Sequence, residues 1–330
     1  MAVVVLDLAR VNQAAYHTGP VEIVRGTPAM VEAIKRHAGM EGPGHFRIFS
    51  DPIGYMPSST PLAASLGSVG TTSLLLRQGL HAELNAEFRI ESVNVYMPGQ
   101  SAAITSLRDL ATKDFWVRAY ARYNVAYLIG FRRHLLQPPF VQSLVATVPD
   151  YDLALVQNPI SPKPRAYLSR QPQFVATAVD LGTLMKRPDF LTGRTDFIEA
   201  ADGGIPGPSD DGRVVIERYE PEEVRVRVET PKAAVLILLD AFENGWQASL
   251  ESGDAVPVWR ANALVRAVAV PAGTHRVTFT YRTPLLAAGA WCSFAGALIC
   301  TGLVGCAWRR EGCRLGQEQG NASRADNGQV

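Results

Sequence analysis

Glu223–Glu229, EVRVRVE, decides how the second half of the chain folds. Val224, Val226 and Val228 alternate with Glu223, Arg225, Arg227 and Glu229, which puts three apolar side chains on one face of an extended strand and four charges on the other. That alternation belongs to an antiparallel strand with one face on a core and the other in water. Working outward, Arg213–Tyr219 reads as a strand before it, and Val235–Asp240 as a continuous apolar strand after it. Trp246–Leu250, Leu264–Val270 and Thr274–Tyr281 follow at short spacing, divided by the turns Ser252-Gly253-Asp254 and Pro271-Ala272-Gly273. Residues 213–283 therefore predict an antiparallel β-sandwich.

Upstream, Gly203–Gly212, GGIPGPSDDG, has the composition of a linker. Residues 7–202 before it read as a mixed α/β region, so the fold class is α+β. Thr27 as N-cap, Pro28 at the first helical position and Gly39 as a stop define a helix over 28–38. His45–Phe49 is a short strand, Ser59-Thr60-Pro61 opens a second helix, and Ser106–Tyr120 supports a third. Asn124–Gly130, NVAYLIG, reads as a buried strand.

Downstream, Leu285–Trp308, LLAAGAWCSFAGALICTGLVGCAW, carries no charge and is bounded by Pro284 and Arg309-Arg310. At about 1.5 Å per residue it is long enough, as a tilted helix, to cross a hydrocarbon core of about 30 Å. The excess of Arg309, Arg310 and Arg314 over Arg276 and Arg282 places the tail, 309–330, in the cytoplasm and the body on the outer side of a bacterial cell membrane. The tail is polar and aperiodic and reads as disordered. Gly289, Ser293, Ala297, Thr301 and Gly305 recur every four residues, a small-residue stripe that suits packing on other membrane helices or a separate membrane subunit and also arises by composition alone. Met1–Leu6, MAVVVL, is too short to span; it reads as a buried first strand or as the outer end of a membrane helix lying outside this sequence.

The 330 residues are 47% apolar and 19% charged with a formal net charge of +1, which excludes wholly disordered chains and gives no global basic field for nucleic acid. All four cysteines, Cys292, Cys300, Cys306 and Cys313, lie near the carboxyl end, so the body has neither a disulfide framework nor a cysteine zinc site.

The stretch from Asp240 to Pro284 resembles the C-terminal outer domain of YfhO-type bacterial membrane proteins. The resemblance rests on Asp240, Asn244-Gly245-Trp246-Gln247-Ala248, Pro257, Arg260-Ala261-Asn262, Arg266-Ala267-Val268, Pro271-Ala272-Gly273-Thr274-His275, and Tyr281 before Pro284. Looser echoes are Asp7-Leu8, Phe46-Arg47-Ile48, Arg122–Tyr127 and Arg165-Ala166-Tyr167. Where that family has an Asp-Gly turn after the Gly-Trp strand, this chain has Glu251-Ser252-Gly253-Asp254. Such proteins are similar to glycosyltransferases that move a sugar from a polyprenyl-phosphate carrier on the outer face. Their acidic residues sit in an early outer loop that this chain does not contain. The resemblance thus implies an accessory outer module acting on cell-envelope or lipid-linked sugars without the catalytic membrane half. The alternative is a membrane-anchored glycan- or protein-binding module with no transferase relationship.

The chemistry-bearing candidates are few. Asp150-Tyr151-Asp152 has the Asp-x-Asp spacing that could hold a divalent metal, and more simply suits a turn or helix cap after Pro149. Trp246 is a core anchor or a platform on which a sugar stacks. His275 falls in phase with Val277, Phe279 and Tyr281, on the buried face of its strand. Gly245, Pro257, Asn262, Gly273 and Tyr281 read as structural parts of the motif. Phe131-Arg132-Arg133-His134 could meet lipid phosphate or simply face water. His17, His37, His45, His81 and His134 show no metal-ligand spacing, and no cofactor motif is present.

Overall fold

The computed structural model describes residues 25–39, 44–50, 72–81, 83–93, 116–200, 206–207 and 211–304. Met1–Leu6, the helix opened at Ser59, the first part of Ser106–Tyr120, most of the linker, Gly305 and the tail lie outside the described residues.

The first sheet is mixed. It contains β1 (Arg47–Ser50), β2 (Glu91–Ser92), β3 (Val125–Phe131), β4 (Leu144–Val148) and β5 (Leu153–Gln157), in the order β2-β1-β3-β5-β4. β1 runs parallel to β2 and β3, whereas β5 is antiparallel to β3 and β4. Helix α1 (Ala29–Ala38) buries Met30, Val31 and Ile34 in one cluster with Ile48, Ile129 and Leu155. Pro28 takes the cap position rather than the first helical one, and its carbonyl accepts from the amides of Val31 and Glu32. Gly39 stops the helix at φ 75 and ψ 178, a positive-φ extended conformation that a glycine adopts without strain. Asn124, at φ 70, precedes β3, and its side-chain amide donates to the carbonyls of His45 and Lys163. Helix α2 (Trp116–Arg122) leads into this turn.

Two further sheets make the sandwich. β6 (Ala166–Leu168), β7 (Gln171–Val175) and β8 (Thr195–Glu199) come before the linker, with helix α3 (Pro188–Leu191) leading into β8. After it come β9 (Arg213–Tyr219), β10 (Glu223–Thr230), β11 (Ala234–Ala241), β12 (Trp246–Leu250), β13 (Ala255–Val256), β14 (Trp259–Ala261), β15 (Val265–Val270) and β16 (Gly273–Tyr281). One sheet has the order β13-β12-β16-β10-β9 and the other β6-β11-β15-β14-β8-β7. The alternating valines of β10 are paired in register, Val224 with Phe279 and Val226 with Val277, and all four side chains enter the inter-sheet core.

The second sheet crosses the expected linker, and the reason is visible in β11. Leu236 and Leu238 point into the inter-sheet core with Val268 and Phe279. Val235, Ile237 and Leu239 point the other way, into a core shared with Tyr120, Phe190 and Phe197. A strand buried on both faces reads as an unbroken apolar run, and it needs material from before residue 203 to cover its second face. The described residues up to Tyr281 accordingly form one compact unit.

β13 and β14 have no sequence signal because they are two and three residues long. Pro257 falls in the short link between them, where the chain leaves one sheet for the other and a missing amide donor costs nothing. A separate unit begins at Arg282 and contains helix α4 (Leu286–Val304), which is long and apolar enough to cross a membrane and is exposed along its length.

Candidate functional site

Among the described residues the body holds two buried ionic clusters, each built on an aspartate in a buried strand. Asp196 lies in β8 between Thr195 and Phe197. It pairs with Arg122 from α2, and both side chains are 1% exposed. Oδ1 also accepts from the Tyr167 hydroxyl at 2.8 Å and the Asn262 amide at 2.8 Å, while Oδ2 accepts from Ser169 at 2.7 Å. Burial pushes the Asp196 carboxyl up, but the Arg122 charge and these three hydrogen bonds outweigh it and hold the group below the usual aspartate value. Arg122 also reaches the Tyr167 hydroxyl at 2.5 Å and lies 4.9 Å from the Phe190 ring centroid.

Asn262 is placed by its backbone. It and Ala263 have φ of 51 and 63, the two left-handed central positions that a type I′ turn between β14 and β15 requires. The turn closes with the Leu264 amide on the Ala261 carbonyl at 3.1 Å. Asn262 Oδ1 then accepts from the Phe197 amide at 2.9 Å, and the Asn262 carbonyl accepts from the Tyr123 hydroxyl at 2.8 Å. Every side of this cluster is enclosed by protein groups.

The second cluster is assembled differently. Asp240 closes the apolar run of β11 and meets three arginines: Oδ1 lies 2.7 Å from Arg165 and 3.1 Å from Arg47, and Oδ2 lies 2.9 Å from Arg266. Glu91, from β2, takes Arg165 at 2.9 Å and the Gly44 amide at 3.0 Å. The Tyr219 hydroxyl sits 3.0 Å from Asp240 and 3.1 Å from Glu91, gives its one hydrogen to one of them, and accepts a short hydrogen bond from Arg165. Three guanidinium groups thus face two carboxylates. Burial lowers Arg47 and Arg266 to about 10 against the pull of Asp240, so both remain charged at neutral pH. Burial raises Asp240, and Arg165, Arg266 and Arg47 together more than reverse it, leaving the carboxyl below its usual value.

This second cluster borders a cavity of about 630 Å³, within the range of small-molecule sites. Asp240, Arg266, Glu91 and Trp246 line its inner part, and Arg89, Glu220 and Glu243 are exposed at its mouth. The Arg266 guanidinium carbon lies 3.6 Å from the centroid of the Trp246 ring, a cation–π stack. Arg266 is 2% exposed, and its Nε and Nη1 have no hydrogen-bond partner among the described residues. Tyr219 also lines a second cavity, of about 500 Å³, bordered by Gly44, His45 and β9.

The residues singled out in the sequence fall as follows. Trp246 is half-buried, lines the large cavity, has one face taken by Arg266, and packs on Tyr281, its register partner, with ring centroids 5.2 Å apart. Gly245 is buried immediately before β12. His275 keeps the expected phase but lies at the open end of β16, half-buried, where its Nε2 meets the Ala272 carbonyl at 3.0 Å beside Gly273 at φ 117. Asp150 and Asp152 occupy a 3₁₀ turn after Val148, with Asp152 left-handed at φ 53 and its amide on the Pro149 carbonyl. Among the described residues no three His, Cys, Asp or Glu side chains come together as a metal site. Gly289, Ser293, Ala297 and Thr301 lie on α4, where the Thr301 hydroxyl donates to the Ala297 carbonyl at 2.8 Å.

Asp196, Tyr219, Glu91 and Arg89 escaped the sequence reading. The available signal was an ionisable residue inside an apolar strand, as in Asp196 of TDFIE, but it carries no hint of its partner. No family model matches the chain, and no curated protein and no solved structure matches it either.

Proposed function

We propose that the chain is a membrane-anchored outer-face module that binds cell-envelope or lipid-linked sugars through the cavity at Asp240, Arg266 and Trp246, working beside a YfhO-like, glycosyltransferase-related membrane partner. The observation that carries the reading is the cavity itself: 630 Å³ walled by an indole, carboxylates and guanidinium groups, the mix of apolar face and hydrogen-bonding partners that saccharides need. Support for the anchor is α4, which starts five residues after Tyr281, the register partner of Trp246. Support for the family relation is the motif from Asp240 to Pro284, three of whose residues, Asp240, Trp246 and Arg266, line that cavity.

The test has two arms. After an alkaline carbonate wash the chain is expected in the membrane pellet, and protease added to intact cells is expected to digest the body while sparing the carboxyl-terminal tail. Purified in detergent, it is expected to retain envelope polymer or polyprenyl-linked sugar on a column. Recovery in the soluble fraction overturns the anchor. Anchoring without retention of any saccharide overturns the sugar site. Retention with no effect on sugar transfer when the chain is deleted favours the plain binding module over the transferase partner.

A further inference from the structure

The Asp240 cluster is unbalanced, and of its three arginines Arg266 lines the cavity, beside Asp240 and Glu91. Arg47, Arg165 and Arg266 contribute three positive charges, Asp240 and Glu91 two negative ones, and no other carboxylate pairs with these arginines among the described residues. Arg165 and Arg266 are 3% and 2% exposed, so the surplus is withdrawn from water. Each also has Nε and Nη1 buried without a partner. A buried guanidinium left short of acceptors costs free energy that a properly placed oxyanion recovers. The Asp196 cluster is the internal comparison: one arginine, one aspartate and three further donors on the carboxylate, with Arg122 Nε alone, rather than two nitrogens, buried without a partner.

Arg266 is the member of the surplus that lines the large cavity, and Arg89 stands exposed at the mouth on the opposite strand system. Glu220 and Glu243 at the mouth are also exposed, where solvent and salt screen them far better than the interior screens Arg266. Ile90, Val224 and Trp246 supply apolar wall. We infer that the cavity is an oxyanion subsite: it receives a saccharide through an acidic substituent, a carboxylate or a phosphate, seated on Arg266 with Arg89 at the entrance. The inference rests on the proposed sugar site and adds the charge class of its ligand.

Calorimetric titration of the full chain in detergent with glucose, glucuronate and glucose 6-phosphate tests it. Both acidic sugars, or the one whose geometry suits the site, are expected to bind about tenfold or more tightly than glucose, as charge-assisted bonds to arginine allow. The glucuronate and phosphate arms decide which oxyanion is preferred. Arg266→Gln is expected to remove the preference, and Arg89→Gln, at an exposed position that folding does not need, to reduce it about threefold. Arg187→Ala, at an exposed pair with Asp189 outside the cavity, leaves it unchanged. If Arg266→Gln does not fold by circular dichroism, Arg89→Gln and the loss of the preference at high salt carry the test. Glucose binding as tightly as the acidic sugars overturns the oxyanion subsite and leaves the sugar site standing. No saturable binding by either acidic sugar, or a preference indifferent to Arg89→Gln and to salt, overturns it too.

Discussion

Asp196 and Asp240 occupy similar places, each a carboxylate in a buried strand of the same six-stranded sheet, and they solve the problem of buried charge in opposite ways. Asp196 is matched one to one with Arg122 and completed by Tyr167, Ser169 and Asn262. Asp240 is outnumbered by arginines and borders a cavity. A balanced, enclosed cluster does only one thing, which is to fix the positions of the elements that build it. An unbalanced cluster beside a cavity keeps bonding capacity in reserve for something else.

The sharpest way to break this contrast is to remove each aspartate. Asp196→Ala strands Arg122 where no water reaches it, and the expected loss is about 5 kcal/mol of stability, enough to prevent folding. Asp240→Ala is expected to cost less, about 3 kcal/mol, because Glu91 still holds Arg165. Thermal or urea unfolding of the two variants compares them directly, and equal losses would erase the distinction.

Gly44→Ala probes the open cluster alone. Gly44 has φ +90, its amide holds Glu91, and an added Cβ would lie 3.0 Å from Tyr219 Cγ. Backbone strain and the ring contact together predict about 2 kcal/mol of destabilisation, read by the same unfolding curves. The hydroxyls come next. Tyr167→Phe leaves the enclosed cluster short of a donor and is expected to cost about 2 kcal/mol, whereas Tyr219→Phe, beside the cavity, is expected to cost about 1 kcal/mol.

The pH dependence gives the finest comparison. Both aspartates are held below their usual value of 3.8 in the folded chain, so the unfolded chain takes up protons first on acidification. The stability they contribute is complete above about pH 4 and is lost as the pH falls through their lower folded values. Unfolding measured from pH 5 to pH 2 is expected to show that loss in the native chain and a shallower one in Asp240→Ala.

How much of this the sequence disclosed follows from range of interaction. β9 and β12 have the ends their alternation predicts, and β10, β11, β15 and β16 differ by a residue or two, since period-two burial is a local property. α1 shifted by one residue because Pro28 fits either side of a helix boundary. Arg47, Arg122, Arg165, Asp240, Asn262 and Arg266 all stand in the stretches quoted for the family resemblance, with no ionic role legible in them. What was not legible is that they divide into two clusters, because Arg47 meets Asp240 across 193 residues and Arg122 meets Asp196 across 74. Trp246 was legible as a candidate, but the guanidinium on its face was not, since Arg266 belongs to the facing sheet.

One consequence of β11 reaches beyond the site. Because Val235, Ile237 and Leu239 belong to one core and Leu236 and Leu238 to the next, excising residues 213–281 at the Gly-Pro-rich stretch would strip one side of the strand of its cover. Such an excised piece would be sticky rather than self-sufficient, and amide hydrogens along β11 should be the last in the whole body to trade with heavy water.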